Sequence, residues 1–146
     1  MNDRLDLASR CAQALYDRDA ASQGLGMRLL ASGPGSASVG MSVRADMLQG
    51  HNTCHGGFLF ALADSAFAFA CNSHNAATVA QGCSIDYVAP AFAGDTLTAT
   101  CNELSRGKRT GVYDVRIENQ HGQLIALFRG KSYQIRGTVL AEETLK

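Results

Sequence analysis

The sequence predicts an α+β domain in which one long central helix is wrapped by an antiparallel β-sheet. Three observations carry this. The stretch from Gly56 to Asn75 holds Phe58, Leu59, Phe60, Leu62, Phe67, Phe69 and five alanines, with no proline and no glycine after Gly57. It is apolar nearly all round, so it reads as a helix buried on most sides. Four segments of strand character follow it, joined by short turns, and strands joined that way run antiparallel. With 146 residues the chain is one domain whose core folds without disulfide or metal staples.

The first element is an amphipathic helix from about Leu5 to Ala20, within an N-terminal segment 1–24. Leu5, Ala8, Ala12, Leu15 and Tyr16 recur at helical spacing, Asp3 suits the start, and Gly24 and Gly26 end it. Met27 to Leu30 is a short apolar piece before the turn Gly33-Pro34-Gly35. Ala37, Val39, Met41 and Val43 then alternate with small polar residues and Arg44, the pattern of a half-buried strand. After the buried helix come strands at Thr78 to Val88, Thr96 to Leu104, Thr110 to Glu118 and Leu124 to Ile135. Gly94-Asp95 and His121-Gly122 mark turns between them. Residues 137–146 read as a polar tail.

Composition excludes several classes. Thirteen Lys+Arg balance thirteen Asp+Glu, so the chain is a poor candidate for binding nucleic acid or an anionic membrane surface. Charged residues make up 18%, below the roughly 25% of an average soluble domain, which points to surface spent on self-association. Five cysteines in no regular framework read as reduced thiols in a cytoplasmic protein. The charged start Met-Asn-Asp-Arg carries no signal core. No uncharged apolar run reaches the roughly 18 residues of a membrane helix.

Asp64 is the first candidate for chemistry, because it is the only charged side chain between His55 and His74. A carboxylate in an apolar helix either makes a structural hydrogen bond or faces a cleft, where apolar surroundings raise its pKa and make it a better base. His55-Gly56-Gly57 opens the same helix. It is either an ordinary entry turn or an oxyanion site built from free N–H groups at a helix N-terminus. Gly56 and Asp64 are eight residues apart, about 12 Å along a helix. A reacting carbonyl must lie about 3 Å from both its donor and its attacker. If both residues act on one substrate, the second comes from another copy of the helix, which predicts a symmetric dimer with shared sites.

Other patterns are weaker. His51, Cys54 and His55, with Cys71 and His74 further on, are possible zinc ligands at a spacing that matches no common zinc site. No Gly-x-Ser-x-Gly elbow is present, and Gly130-Lys131-Ser132 lacks the earlier glycine of a phosphate loop. Lys108 and Arg109 follow Gly107 at a turn, where they either solvate a hairpin tip or meet substrate phosphates.

The segment from His51 to Phe67, HNTCHGGFLFALADSAF, resembles the hotdog-fold acyl-CoA thioesterases, closest to the phenylacetic-acid-degradation (PaaI) type. Ala70-Cys71-Asn72-Ser73, Ile85-Asp86-Tyr87, the segments from Gly94 to Thr100 and Thr110 to Asp114, and the stretch Ala126 to Ser132 are similar to that type too. The resemblance implies a hotdog fold, no cofactor, and a dimer that pairs into a homotetramer. It implies hydrolysis of an acyl-CoA thioester, phenylacetyl-CoA or its ring-hydroxylated forms, with medium-chain or other aryl acyl-CoA as alternatives. By the same likeness Asp64 is nucleophile or general base, the Gly56 N–H polarises the carbonyl, and His55 positions the loop. Gln49, Gly57, Phe60, Lys108 and Arg109 are its candidate substrate contacts. Many relatives have Asn where this chain has Gln49, and some have a hydroxyl residue at the position of Ala80. The rival from another class is a non-catalytic acyl-CoA-binding module, which has no need of a buried carboxylate.

Overall fold

The protein is described here by a computed structural model covering residues 3–141. Helix α1 spans Asp3–Asp17 and a short helix α2 spans Ala20–Gly24. The expected single N-terminal helix is thus two. Asp19 divides them, because its side chain accepts the Ser22 N–H and caps α2, offering the backbone an alternative to continuing α1.

Strands β1 (Arg28–Gly33) and β2 (Ser36–Ser42) form a hairpin around Gly35, whose φ of +71° suits glycine. The piece expected as a short apolar run is therefore a sixth strand. Half of its residues are exposed and its register shifts between Leu29 and Ala31, so alternation gave no signal for it.

Helix α3 (Gly56–Cys71) is the long apolar helix. It ends four residues before the expected Asn75, and the cause is local. The Asn72 amide donates to the Ala68 and Thr78 carbonyls and accepts the Thr78 N–H, turning the chain out of the helix. Strands β3 (Ala76–Tyr87), β4 (Thr96–Arg106), β5 (Thr110–Glu118) and β6 (Leu124–Thr138) follow. All six strands form one antiparallel sheet in the order β1-β2-β4-β5-β6-β3, so β1 and β3 are its edges.

The sheet curls round α3, which touches every strand and both N-terminal helices. Leu59, Leu62, Ala63, Ala66, Phe67, Phe69 and Ala70 of α3 are buried against Val39, Met41, Leu97, Ala99, Val115, Ile117 and Phe128 of the strands. Phe67 lies between Tyr113 and Phe128, with ring centroids 5.4 and 6.0 Å away. The segment expected as a polar tail begins otherwise. β6 continues to Thr138, and Val139 and Leu140 are buried against α1, held by Asn75 through the Leu140 N–H. Residues 142–146 of that tail lie outside the described residues. Among the described residues no helix is long and apolar enough to cross a membrane.

Gly130 sits on β6 beneath Phe67, where a Cβ would lie 2.7 Å from the ring. Gly130→Ala therefore overpacks the centre of the core and is expected to lower stability by about 1–3 kcal/mol. A urea midpoint equal to that of the wild type would contradict this packing.

Candidate functional site

The entry to α3 is held in place by backbone. His55 donates its N–H to Met47, and Cys54 donates to Ala91. His55 is the N-cap, and its Nδ1 accepts the Gly57 N–H at 2.9 Å. That bond fixes His55 as an exposed ring that orders the first turn, edge-on to Phe58. The Gly56 N–H, in the first turn where no intrahelical partner exists, has no hydrogen-bond partner among the described residues.

Gly56 lines a cavity of about 380 Å³ together with Gln49, Thr53, Cys54, Leu59, Tyr87 and the segment Val88 to Ala91. Tyr87 comes to this site from the end of β3. Its hydroxyl donates to the Gly56 carbonyl at 3.1 Å, and a Cβ on Gly56 would lie 2.8 Å from the ring. The glycine is needed for that approach, not for an unusual φ. Tyr87 lies in a segment that resembles the thioesterases, but nothing in the sequence marked it as a site residue.

Gln49 lines the same cavity but spends its amide on its own loop. It donates to Thr53 Oγ1 at 2.6 Å and accepts the His51 N–H. This is the work of a loop brace. Cys54 offers no competing nucleophile, since burial pushes its thiol up to about 11 and leaves it protonated at neutral pH.

Asp64 lies elsewhere, halfway down α3 and half-buried. Two cavities open onto it. One, about 460 Å³, is lined by Leu15, Arg18 and Asp19 from the N-terminal helices, Phe67, Ala68 and Cys71 from α3, and Thr78 to Ala80 from β3. Ala80, the position expected to carry a hydroxyl in some relatives, is thus on this wall. The other, about 200 Å³, adds Ser22, Leu25, Met27, Ala61 and Ser65. Burial raises the Asp64 pKa, and the Asp19 carboxylate raises it further. Asp19, Ser22 and Ser65 were not among the residues singled out from the sequence, although Asp19-x-x-Ser22 has the spacing of a helix cap.

The remaining candidates scatter. Phe60 packs edge-on against Phe128, 5.3 Å between centroids, on the core side of the sheet. Gly57 is exposed in the first turn. Lys108 and Arg109 form the β4–β5 turn, and Arg109 lines a crevice with Cys71, at the end of α3 opposite Gly56. Within one chain, then, the structure joins Gly56, Gln49 and Tyr87, and sets Asp64 apart with Asp19. Among the described residues no group of three or more His, Cys, Asp or Glu could hold a metal ion. His74 is paired instead with Glu103 at 2.9 Å.

The raised pKa has a consequence for stability. Between 3.8, its ordinary value, and its raised value, Asp64 keeps a proton in the folded protein that the unfolded chain has lost. Stability from this group is therefore full below 3.8 and falls as pH rises through that window. Asp64→Asn removes the buried charge. Its urea midpoint is expected to exceed the wild type's at neutral pH, with the difference closing at about pH 3. A midpoint below the wild type's at neutral pH would contradict a desolvated carboxylate.

Comparison with known proteins agrees with this architecture. The model of the thioesterase superfamily matches residues 51–126. The acyl-coenzyme A thioesterase PaaI of Escherichia coli is 53% identical over 131 residues, covering 90% of this chain and 94% of that protein. The solved structure of the E. coli PaaI protein from the phenylacetic acid degradation operon superposes with a TM-score of 0.91, at 52% identity over 92% of this chain and 97% of that one. The TT0310 protein of Thermus thermophilus is 43% identical with a TM-score of 0.78, covering 81% and 99% of the two chains. The smu.793 protein of Streptococcus mutans, solved bound to acetyl CoA, is 26% identical with a TM-score of 0.73, covering 77% and 90%. The chain belongs to the thioesterase superfamily, has its hotdog fold, and is a thiolester hydrolase.

Proposed function

We propose that the protein hydrolyses acyl-CoA thioesters, with phenylacetyl-CoA and its ring-hydroxylated forms as substrates, within aromatic catabolism. The observation that carries this is Asp64: a carboxylate made basic by burial, on an apolar helix, opening onto two cavities. A binding module has no use for such a group. The likeness to the E. coli acyl-CoA thioesterase supports the CoA ester, as does acetyl CoA bound to the S. mutans relative. That the E. coli relative comes from a phenylacetic acid degradation operon supports the aromatic acyl group.

In this reading the Gly56 N–H, without a partner of its own, takes the thioester oxygen, and the positive end of α3 strengthens it. Asp64 acts as nucleophile on the carbonyl or as base on water. The two lie about 12 Å apart on one helix, so the partners come from two copies of the chain. Two features support such a pair. The half-buried positions Phe60, Ala61, Asp64, Ser65 and Ala68 form one stripe on α3, and β3 beside it is a free sheet edge. In a two-fold pair with antiparallel α3 helices, Lys108 and Arg109 at one helix's C-terminal end approach the other's Gly56. There they suit the phosphates of CoA.

Release of free thiol from phenylacetyl-CoA by wild type and Asp64→Asn tests this. The variant is expected to lose at least about a hundredfold in turnover. In the wild type the rate should fall on the acid side below a pKa higher than 3.8, as burial of Asp64 requires. Near-wild-type turnover by the variant would refute the assignment.

A further inference from the structure

We infer that Ser65 is a water-positioning residue beside Asp64, and that Asp19, acting through Ser22, fixes it as a hydrogen-bond acceptor. The inference rests on the hydrolytic reading above. Its basis is a short chain of hydrogen bonds. Asp19, between α1 and α2, accepts the Ser22 N–H at 2.9 Å and the Ser22 hydroxyl at 2.5 Å. Ser22 is buried, and its Oγ lies 2.7 Å from Ser65 Oγ. A serine hydroxyl has one hydrogen to give. Ser22 gives its own to the carboxylate, so Ser65 donates to Ser22. The chain runs from Ser65 to Ser22 to Asp19 and leaves Ser65 Oγ with lone pairs alone.

Asp19, Ser22, Asp64 and Ser65 line one cavity of about 200 Å³, whose other walls are Leu25, Met27 and three alanines. A water needs far less room and at least two polar partners. Asp64 by itself holds one hydrogen of a water and leaves the molecule free to turn about that bond. Ser65 follows Asp64 on α3, about 100° further round the helix, and faces the same cavity. A water between them donates one hydrogen to each and turns a lone pair outward. In the step, the water oxygen bonds to the thioester carbonyl carbon and Asp64 takes one of its protons. The carbon–sulfur bond breaks, and that proton leaves with the sulfur as the CoA thiol. The second hydrogen stays on the product acid, on the Ser65 side.

Asp19 sets the direction of the chain because a carboxylate only accepts. Asp19→Asn keeps the helix cap, since Asn caps as well as Asp. Its amide NH₂ then faces Ser22 Oγ, the chain reverses, and Ser65 presents a hydrogen to the cavity. The charged and titratable groups around Asp64 are Asp19 and Arg18 from the α1–α2 junction, Cys71 on α3 and Cys83 on β3. Asp19 is the one that raises the Asp64 pKa by its charge, so its neutralisation also moves the acid limb of the rate.

The test is steady-state hydrolysis of phenylacetyl-CoA from about pH 4 to 9 by wild type, Ser65→Ala, Ser65→Thr, Asp19→Asn and Asp64→Asn. Ser65→Ala is expected to lower kcat about tenfold, the worth of one hydrogen bond, with KM within about twofold and the acid limb in place. Ser65→Thr, which keeps the hydroxyl, should restore most of kcat. Asp19→Asn should lower kcat similarly and shift the acid limb to lower pH. Unchanged kcat in Ser65→Ala, a loss carried by KM alone, or an unmoved limb in Asp19→Asn overturns the inference. If Asp64→Asn is inactive while Ser65→Ala matches wild type, this inference alone fails. If Asp64→Asn turns over normally, the hydrolytic role of Asp64 fails first.

Discussion

Helix α3 has no polar face, and the rest of the molecule is arranged around that constraint. Leu59, Leu62, Ala63, Ala66, Phe67, Phe69 and Ala70 point to nearly every side of the helix, so no single layer could cover it. The sheet must curl, and α1 and α2 must close the remaining gap. Phe67 shows how tight the result is: two rings flank it, and only glycine fits beneath it at Gly130. What the wrapping leaves is a stripe at Phe60, Ala61, Asp64, Ser65 and Ala68, spaced by four along two adjacent rows. The single charge of the helix lies in that stripe. The stripe continues into the free edge of β3, where Val79 and Tyr87 are exposed, as is Val88 just past its end. A twelve-residue strand with an unpaired edge and exposed apolar side chains is a surface that proteins ordinarily blunt or cover.

Around Asp64 local rules are broken in a consistent direction. Its carboxylate is removed from water, and a second carboxylate, Asp19, is placed across the cavity. Desolvating Asp64 and facing it with a second negative charge both cost stability, although Asp19 also caps α2. Such conflicts concentrate at functional sites. At the other end of the helix the strain is absent: His55 caps Gly57, Gln49 braces its own loop, and Tyr87 holds the Gly56 carbonyl. One end is therefore rigid and preorganised, which suits the proposed N–H donor, and the middle is electrostatically poised, which suits the proposed base.

The sequence carried the fold where burial and period agree. The apolar run of α3, the alternation in β2 and β5, and the glycine turns were legible because each is a local pattern. It failed where tertiary contacts decide. β1 is an exposed edge strand without alternation, and its pairing comes from β2. The break between α1 and α2 depends on one side-chain cap, and the end of α3 on the Asn72 amide reaching Thr78. In the site, Asp64 and Gly56 stood out as local anomalies, a charge among alanines and a glycine pair before a helix. Tyr87 is 31 residues from Gly56 and Ser22 is 43 from Ser65, and each looks ordinary in its own segment. Gln49 was legible as a position lining the Gly56 cavity, while its hydrogen bonds to Thr53 and His51 depend on how the loop folds.

The thiols narrow the chemistry by elimination. Cys54 lines the Gly56 cavity and Cys71 the larger Asp64 cavity, so either is near enough to be considered as a nucleophile. Burial pushes them to about 11 and about 12, and Asp64 itself pushes Cys71 further from ionising. A thiol in those surroundings stays protonated and inert at neutral pH. The same burial acts in the same direction on a carboxylate, with a different consequence for its reactivity. It raises the Asp64 pKa above its ordinary carboxylate value, and the Asp19 charge raises it further, which makes the carboxylate a stronger base. One apolar helix thus silences the sulfur groups beside it and sharpens its only carboxylate. In the proposed reaction this leaves an oxygen base to work with a backbone donor about 12 Å away along the same helix, a separation that the proposed pairing of two α3 helices would close.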